Sequence, residues 1–303
     1  MAGFFRVALF VGFLVLVLAF ATRGLYTTAM RELATGALER LAPSASTTAY
    51  GAAFTELAQL LLARATLHIA GRSHRFTELE LYYRGFDHLD PFTHGDERQQ
   101  QLGRWYFHRT GGGYRGGTYK GLDIAFGNAA AFGGILIRGI ASGDGALFDG
   151  PCVVVDHILA ATRAPTIDAL VGRFEPTIDP APRSPLWIEL GEPVPRAIYA
   201  TARVGLSLKR HAGALGKSFI ARPYRFLSEP ARIRKGRPHL VIALHQQGRS
   251  SSEIAALTGT RNAVIDGYLR AFETGRGQSL DDFRGDLSPR ELCALLGACD
   301  AGR

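Results

Sequence analysis

From Phe76 to Tyr83 the sequence alternates at every second position, setting Glu78 and Glu80 on one side and Leu79 and Leu81 on the other. Successive side chains of a strand point to opposite faces of a sheet, so this period of two specifies an extended strand and excludes an amphipathic helix. By itself the pattern reads as a solvent-facing row of acids over a buried row of leucines. The flanking segments follow other periods. Thr55–Ala65 spaces its leucines at helical intervals, and a strand-like Ala65–Ala70 follows. Residues 31–50 read as a helix that breaks at Pro43 into a Ser/Thr/Ala linker. Residues 84–118 are rich in Gly, His and Asp and read as loop. Gly133–Ile140 is an apolar strand, Val153–Ala161 and Thr166–Val171 read as helices, and the six prolines of 176–195 mark an irregular surface stretch. The chain is therefore expected to be α+β. One compact mixed domain, with a curved antiparallel sheet and flanking helices, spans 45–235, and a small all-α unit spans 238–303.

Hydrophobic residues make up 47% of the 303 and aromatics 10%, enough to fill a core, which excludes disorder as the main state. The 35 Lys and Arg exceed the 27 Asp and Glu, giving a formal charge of +8. A folded basic protein meets polyanions, nucleic acid first and a membrane surface second. Residues 203–237 concentrate this charge, with ten Lys/Arg against the single acid Glu229. Such a stripe can hold a phosphate backbone without reading bases. Cys152, Cys293 and Cys299 are far apart, odd in number and without a CxxC, which argues against a disulfide framework or a zinc ribbon.

The two ends differ from the middle. Val7–Ala21 is unbroken apolar sequence behind Arg6, shorter than the roughly 20 residues that a bilayer span needs. Residues 1–29 are read as a signal-like or anchor-like segment, or as the product of a misplaced start before Met30. Membrane contact through this segment is one expected partner, and the location in the cell stays open between it and a DNA-containing compartment. At the other end, His239–Gln247 reads as a helix. Ser250 and Glu253 form a capping box that opens a short helix over 252–257. Thr258-Gly259-Thr260 turns the chain, and Arg261–Glu273 reads as a third helix, weakened by Gly267. Helix, glycine-containing turn, helix is a helix-turn-helix pattern, in which Arg261 and Asn262 would face base edges.

Six short motifs occur in the order of one known family. They are Leu57-Ala58-Gln59-Leu60-Leu61, Glu78-Leu79-Glu80-Leu81-Tyr82, Asp90-Pro91-Phe92-Thr93-His94, Gly134-Ile135-Leu136-Ile137-Arg138, Gly150-Pro151, and Ala202-Arg203-Val204-Gly205-Leu206 followed by Pro223-Tyr224-Arg225-Phe226. Together they resemble the alkyladenine (3-methyladenine) DNA glycosylases. The resemblance implies a monofunctional enzyme of base excision repair, working on double-stranded DNA as a monomer and without metal or organic cofactor. It makes Glu80 the catalytic base that orients water. It makes Tyr82 and His94 the aromatic walls around an extruded base, and puts Arg138 near the flipped nucleotide. Asp123, in Gly-Leu-Asp-Ile, falls where the family reads the base edge. The tyrosine that wedges into the duplex is Tyr114 or Tyr119. Arg115, Lys209 and Arg210 complete the expected DNA contacts.

The chemistry agrees with that assignment. Cleaving an N-glycosidic bond passes through an oxocarbenium-like state and needs a carboxylate to direct water at the sugar. A base inside a duplex must first be flipped out, and electron-rich aromatic faces favour a positively charged alkylated base. This chain departs from the family in Leu79 and Leu81, in the twelve-position step from Tyr82 to His94, and in the glycine-rich 110–121. Two alternatives are carried forward. One is a DNA-binding relative without catalysis. The other is a metal-dependent phosphodiesterase built on Asp87, His88, Asp90, His94 and Asp96.

Overall fold

The computed structural model describes residues 47–85, 87–180 and 184–302. The readings made for residues 1–29 and 31–46 lie outside these residues. The architecture is mixed α+β, built on a nine-stranded sheet. Helix α1 (Thr47–Arg64) leads directly into β1 (Ala65–Ile69). The two-residue turn Ala70-Gly71, both at positive φ, returns the chain as β2 (Arg72–Arg84). The remaining strands are β3 (Trp105–Phe107), the small hairpin β4 (Arg109–Thr110) and β5 (Gly113–Tyr114), β6 (Leu122–Ala125), β7 (Phe132–Ser142), β8 (Leu147–Asp149), β9 (Leu186–Leu190), β10 (Tyr199–Thr201) and β11 (Arg225–Leu227). Every pairing is antiparallel, and the main path runs β10-β11-β2-β7-β6-β3. Strand β1 bridges β2 and β9, and β8 adds to β7.

Strand β2 is central and buried on both faces, which corrects the reading of its acids as a solvent-facing row. The alternation also carries a phase shift. Phe76 pairs with Ile140, Glu78 with Gly139 and Leu79 with Ile137, so Thr77 on β2 and Arg138 on β7 drop out of register. This bulge lets Phe76 join Leu79, Leu81 and Tyr83 in the apolar core, together with Ile135, Ile137 and Ile140 from β7. Glu78, Glu80 and Tyr82 share the opposite face. Gly139 accommodates the irregularity, because a Cβ there would lie 2.6 Å from Thr77 Oγ1.

Helix α1 lays Phe54, Leu57, Ala58 and Leu61 on that core. Helices α2 (Pro151–Thr162) and α3 (Ile167–Val171) pack beside it, with Val154, Val155, Ile158 and Leu170 buried. Proline at the first turn of α2 and the Thr166 hydroxyl at the start of α3 set their beginnings. The proline-rich 176–195 is not wholly irregular. Pro185 is followed by β9, whose Leu186 and Ile188 are buried against β1.

After the short α4 (Ala214–Phe219), four helices close the chain: α5 (Arg237–Gln246), α6 (Ser251–Thr258), α7 (Asn262–Gly275) and α8 (Pro289–Ala301). The capping box expected at Ser250 and Glu253 is formed. Helix α8 was not read from the sequence, although Ser288 and Glu291 form a second box at its start. These helices share their cores with the body. Leu227 and Ile233 pack with Leu240, Leu244, Ile254 and Ile265, while Leu208 and Ile220 pack with Leu295 and Ala298.

Helices α7 and α8 cross closely because glycine meets backbone on both sides. A Cβ on Gly297 would lie 1.9 Å from the Phe272 carbonyl oxygen, and one on Gly275 would lie 2.0 Å from that of Ala294. Gly267 is different, since a Cβ there would meet only Arg290, at 3.7 Å. Gly297→Ala is therefore expected to destabilise the protein by about 1–3 kcal/mol through overpacking. Gly267→Ala is expected to stabilise it by up to about 1 kcal/mol. Urea unfolding of the two variants beside the parent checks both signs.

Candidate functional site

The acidic face of β2 is covered by charge of the opposite sign. Glu78 Oε1 accepts from Arg138 Nε at 2.6 Å and from Arg225 Nε at 2.8 Å. Burial works to raise the Glu78 carboxyl, but Arg225 and Arg138 outweigh it and hold its pKa below the ordinary value. Two positions on, Glu80 is completely buried. Its Oε1 accepts the Val204 amide at 2.6 Å, with Arg138 Nε 3.5 Å away, and its Oε2 accepts the Tyr82 hydroxyl at 2.8 Å. Burial and then the Glu80 carboxylate raise the pKa of Tyr82 well above normal, so the phenol stays protonated and donates.

Behind the Tyr82 ring stands Arg203, with its guanidinium carbon 4.4 Å from the ring centroid. Arg203 grips Asp90 with two nitrogens, at 2.6 and 3.2 Å, and the Leu81 carbonyl at 3.1 Å. Neither Arg203 nor Asp90 exposes its side chain. This pair settles the path of the long loop after β2. His88 plugs into the core between the Tyr83 carbonyl and the Tyr224 hydroxyl, each 2.9 Å away. Asp90 then takes Arg203, and Asp96 caps the short turn of 97–100.

The loop thereby returns His94 to the end of β2 and encloses a cleft of about 800 Å³. Tyr82 and Pro91–His94 line it from β2 and the loop after it, and His108, Arg115 and Tyr119 from the segment between β3 and β6. Val204–Leu206 with Lys209, Arg210 and His211 form another side, and Gln99, Asp123 and Leu136 complete the lining. Asp123 accepts from Gln99 Nε2 at 3.2 Å and faces His108 Nε2 at 2.7 Å. The His94 ring stands on edge to His108, with centroids 4.3 Å apart. Burial, and next the neighbouring His108, push the His94 imidazole down to about 4. At neutral pH His94 is therefore an uncharged aromatic face. A smaller hollow of about 350 Å³ shares Arg115, Tyr119 and Arg210 with the cleft and adds Thr110 and Gly116.

Seven residues singled out from the sequence line this one cleft: Tyr82, His94, Arg115, Tyr119, Asp123, Lys209 and Arg210. The twelve-position step from Tyr82 to His94 leaves both residues in the lining of the same cleft. The two tyrosines are placed differently. Tyr119 projects into solvent at the cleft rim with 76% of its surface exposed, whereas Tyr114 packs against Phe107 beneath Arg109. The Tyr119 loop is moored to α2 by an ion pair between Lys120 and Asp156 and by Cys152 Sγ, 3.1 Å from the Gly117 carbonyl.

Other expectations are corrected. Glu80 does not line the cleft; it stands behind Tyr82 and meets the cleft through the phenol. Arg138 does not reach the cleft either, because Glu78 and Glu80 claim its guanidinium inside the sheet. Arg261 and Asn262 are exposed at the start of α7 but are not part of the cleft lining. The basic stripe of 203–237 is largely consumed within the protein. Arg203 and Arg225 are core residues, Arg237 bonds the Thr258 carbonyl, and Arg232, Lys217 and Lys209 pair with Glu229, Asp281 and Asp286. The loop acids and histidines offered as metal ligands turn to separate partners, with Asp87 on Tyr50, His88 on Tyr224 and Asp90 on Arg203. Among the described residues no group of three or more His, Cys, Asp or Glu could hold a metal ion. His108, Gln99 and the Val204 amide were not read from the sequence, where a lone histidine after an aromatic run carries no distinguishing spacing.

No protein-family model matches the chain. The chain is 32% identical over 134 residues to an uncharacterized protein of Acanthamoeba polyphaga mimivirus. That alignment covers 39% of this chain and 62% of the viral protein, so the chain spans less than two thirds of that relative's length.

Two consequences for stability follow from the buried charges. Arg203→Met leaves Asp90 charged and unpaired in the core, and a loss of about 3–5 kcal/mol is expected in urea unfolding. His239 on α5 is buried beside Arg225 and Arg138; burial first, and then those two charges, lower its pKa from 6.5 to about 3. The unfolded chain binds a proton near pH 6.5 that the folded chain refuses until about pH 3. The stabilisation is therefore complete above the unfolded value and is lost as pH falls. Thermal melts between pH 7 and pH 4 are expected to show this decline, and His239→Phe to flatten it.

Proposed function

We propose that this protein is a monofunctional DNA glycosylase that flips a damaged purine into the cleft and hydrolyses its bond to the sugar. The observation that carries the reading is the convergence on one cleft of residues separated by more than a hundred positions. Tyr82, His94 and Asp123, singled out by motif, and Arg210, from the basic stripe, all line it.

On this reading the base stacks between Tyr82 and the uncharged His94, a slot that does not repel a cationic base. Tyr119, on its moored loop at the rim, fills the gap left in the duplex. Arg115 and Arg210 take the flanking phosphates beside the smaller hollow. Glu80 acts through Tyr82. A water bonded to the Tyr82 oxygen attacks the anomeric carbon, its proton passes to that oxygen, and the phenol proton passes along the 2.8 Å hydrogen bond onto Glu80. Helices α5, α6 and α7 serve as a helix-turn-helix unit, with Arg261 and Asn262 directed at the groove. The mixed face of α7, which carries Asp266 and Glu273 beside Arg270, suits positioning better than strong phosphate binding.

The complete burial of Glu80 favours a second reading, a DNA clamp without catalysis. The full chain, incubated with duplexes carrying one hypoxanthine or one ethenoadenine and then treated with alkali, separates the two. Strand scission by the parent, reduced about 10²–10⁴-fold in both Glu80→Gln and Tyr82→Phe while gel-shift binding persists, is the expected result. Intact strands with salt-sensitive binding by all three proteins would leave the clamp. For binding, Arg210→Ala is expected to weaken duplex affinity on every sequence and to lower the slope of log affinity against log salt by about 1. Lys209→Ala is expected to do less, since Asp286 already neutralises Lys209.

A further inference from the structure

A second cavity, of about 410 Å³, lies at the seam between the sheet and the helical tail and shares no lining residue with the cleft. It is lined from β10, the edge strand of the sheet, and from α5 and α8. Ala202, Ile242 and Leu296 pack together there, so the apolar part of the lining is continuous with a buried core. The polar part centres on His239, which is 5% exposed. Its Nδ1 is sealed without a hydrogen-bond partner, and its Nε2 makes no hydrogen bond among the described residues. A buried polar group left without a partner costs about as much as a lost hydrogen bond, so a guest that bonds this ring gains more than it would on an open surface. Burial, and then the charges of Arg225 and Arg138, lower the pKa of His239 to about 3, and at neutral pH the imidazole is uncharged.

The lining also sets the charge of a guest. Among the described residues no Lys or Arg lines this cavity, so nothing in it takes an anion. Its acid, Asp300, is already engaged by Gln246 Nε2 at 2.8 Å and by an ion pair with Arg276, which leaves little to hold a cation. Thr201, in the lining, accepts from Arg225 at 3.3 Å, and that arginine further disfavours a positive guest beside His239. A neutral imidazole has two tautomers, so Nε2 either gives or takes a hydrogen bond, and the amides of Gln246 and Gln247 do both. The matching guest carries a donor and an acceptor side by side on one edge, as an amide or a lactam does, and flat apolar faces for Ile242, Ala243 and Leu296. We propose that this cavity is a binding site for a small neutral heterocycle with an amide or lactam edge, anchored by His239. Its volume falls within the range of small-molecule sites, about 300–1,000 Å³. The site stands whether or not the cleft excises bases. Because the sheet and the tail both line it, a guest makes contacts across the seam and stabilises the folded chain.

The test titrates the full chain with nicotinamide, a neutral ring amide, and with uracil, which presents a lactam edge. Nicotinate and 1-methylnicotinamide keep the shape of nicotinamide and add a negative or a positive charge. Calorimetry and melting temperature are read at pH 7 for the parent, for Ala243→Phe, which fills the cavity, and for His239→Phe, which removes the anchor. Both neutral compounds are expected to bind the parent with a Kd of about 1 mM or below and to raise its melting temperature. The two charged analogues are expected to bind about 10-fold more weakly or worse, and both variants to lose about 10-fold or more for nicotinamide. The parent's affinity for nicotinamide is expected to stay level from pH 8 to pH 5, across which His239 is neutral. A melting temperature of each variant without ligand separates lost binding from lost folding. Failure of both neutral compounds to bind, equal affinity for a charged analogue, or binding that survives Ala243→Phe and His239→Phe would each overturn the assignment.

Discussion

Everything in this molecule is arranged around a set of charges sealed beneath its surface. Glu78, Glu80 and Asp90 are matched by Arg138, Arg203 and Arg225, and each is almost wholly withdrawn from water. Desolvating such groups costs several kcal/mol apiece, so the pairs are not a cheap source of stability. Their effect is on uniqueness. Arg225 and Arg203 each bond partners from separate parts of the chain. Arg225 on β11 ties Glu78 to the Gly236 and Lys235 carbonyls before α5, and Arg203 ties the Leu81 carbonyl to the loop acid Asp90. A slip of β2 by one residue would bring leucines against these guanidiniums and carboxylates against the isoleucines of β7. The charges therefore fix the register of the central strand, and the register fixes where Tyr82 ends.

The cleft inherits its rigidity from that arrangement. Its back wall is Tyr82, braced from behind by Arg203 and from below by Glu80. Its floor is the Asp123 carboxylate, held by Gln99 and His108. The parts with fewer buried contacts are the rims: the glycine-rich 110–121, and the exposed Lys209 and Arg210. A rigid slot with adaptable rims suits a guest whose central ring must be positioned closely while its extended backbone is held by charge alone.

Much of this was legible in the sequence, in proportion to how local its causes are. The alternation of β2, the leucine spacing of α1 and the Ser250–Glu253 box are short-range signals and led to the right elements. The motifs also named Tyr82, His94 and Asp123, which line one cleft. What escaped depends on partners distant in sequence. The bulge at Thr77, which rotates Phe76 into the core, is absorbed by Gly139 sixty-two positions on. Arg203 and Arg225 look like surface cations in a basic stretch and become core residues only because Asp90 and Glu78 meet them. Strand β9 hides among prolines, since its pairing with β1 overrides the composition around it. His108 carries no pattern at all until β3 and β6 lie side by side.

The close crossing of α7 and α8 makes the tail a buttress instead of a tethered appendage. With carbonyls standing where side chains would otherwise be, the two helices have no room to slide or pivot on one another. The far side of α8 lies on Leu208 and Ile220, and Leu208 is the residue directly before the Lys209-Arg210 wall of the cleft. The exposed end of α7, near Arg261, is thus joined by continuous packing through α8 to that wall. The position of the tail and the shape of the cleft mouth are therefore set together.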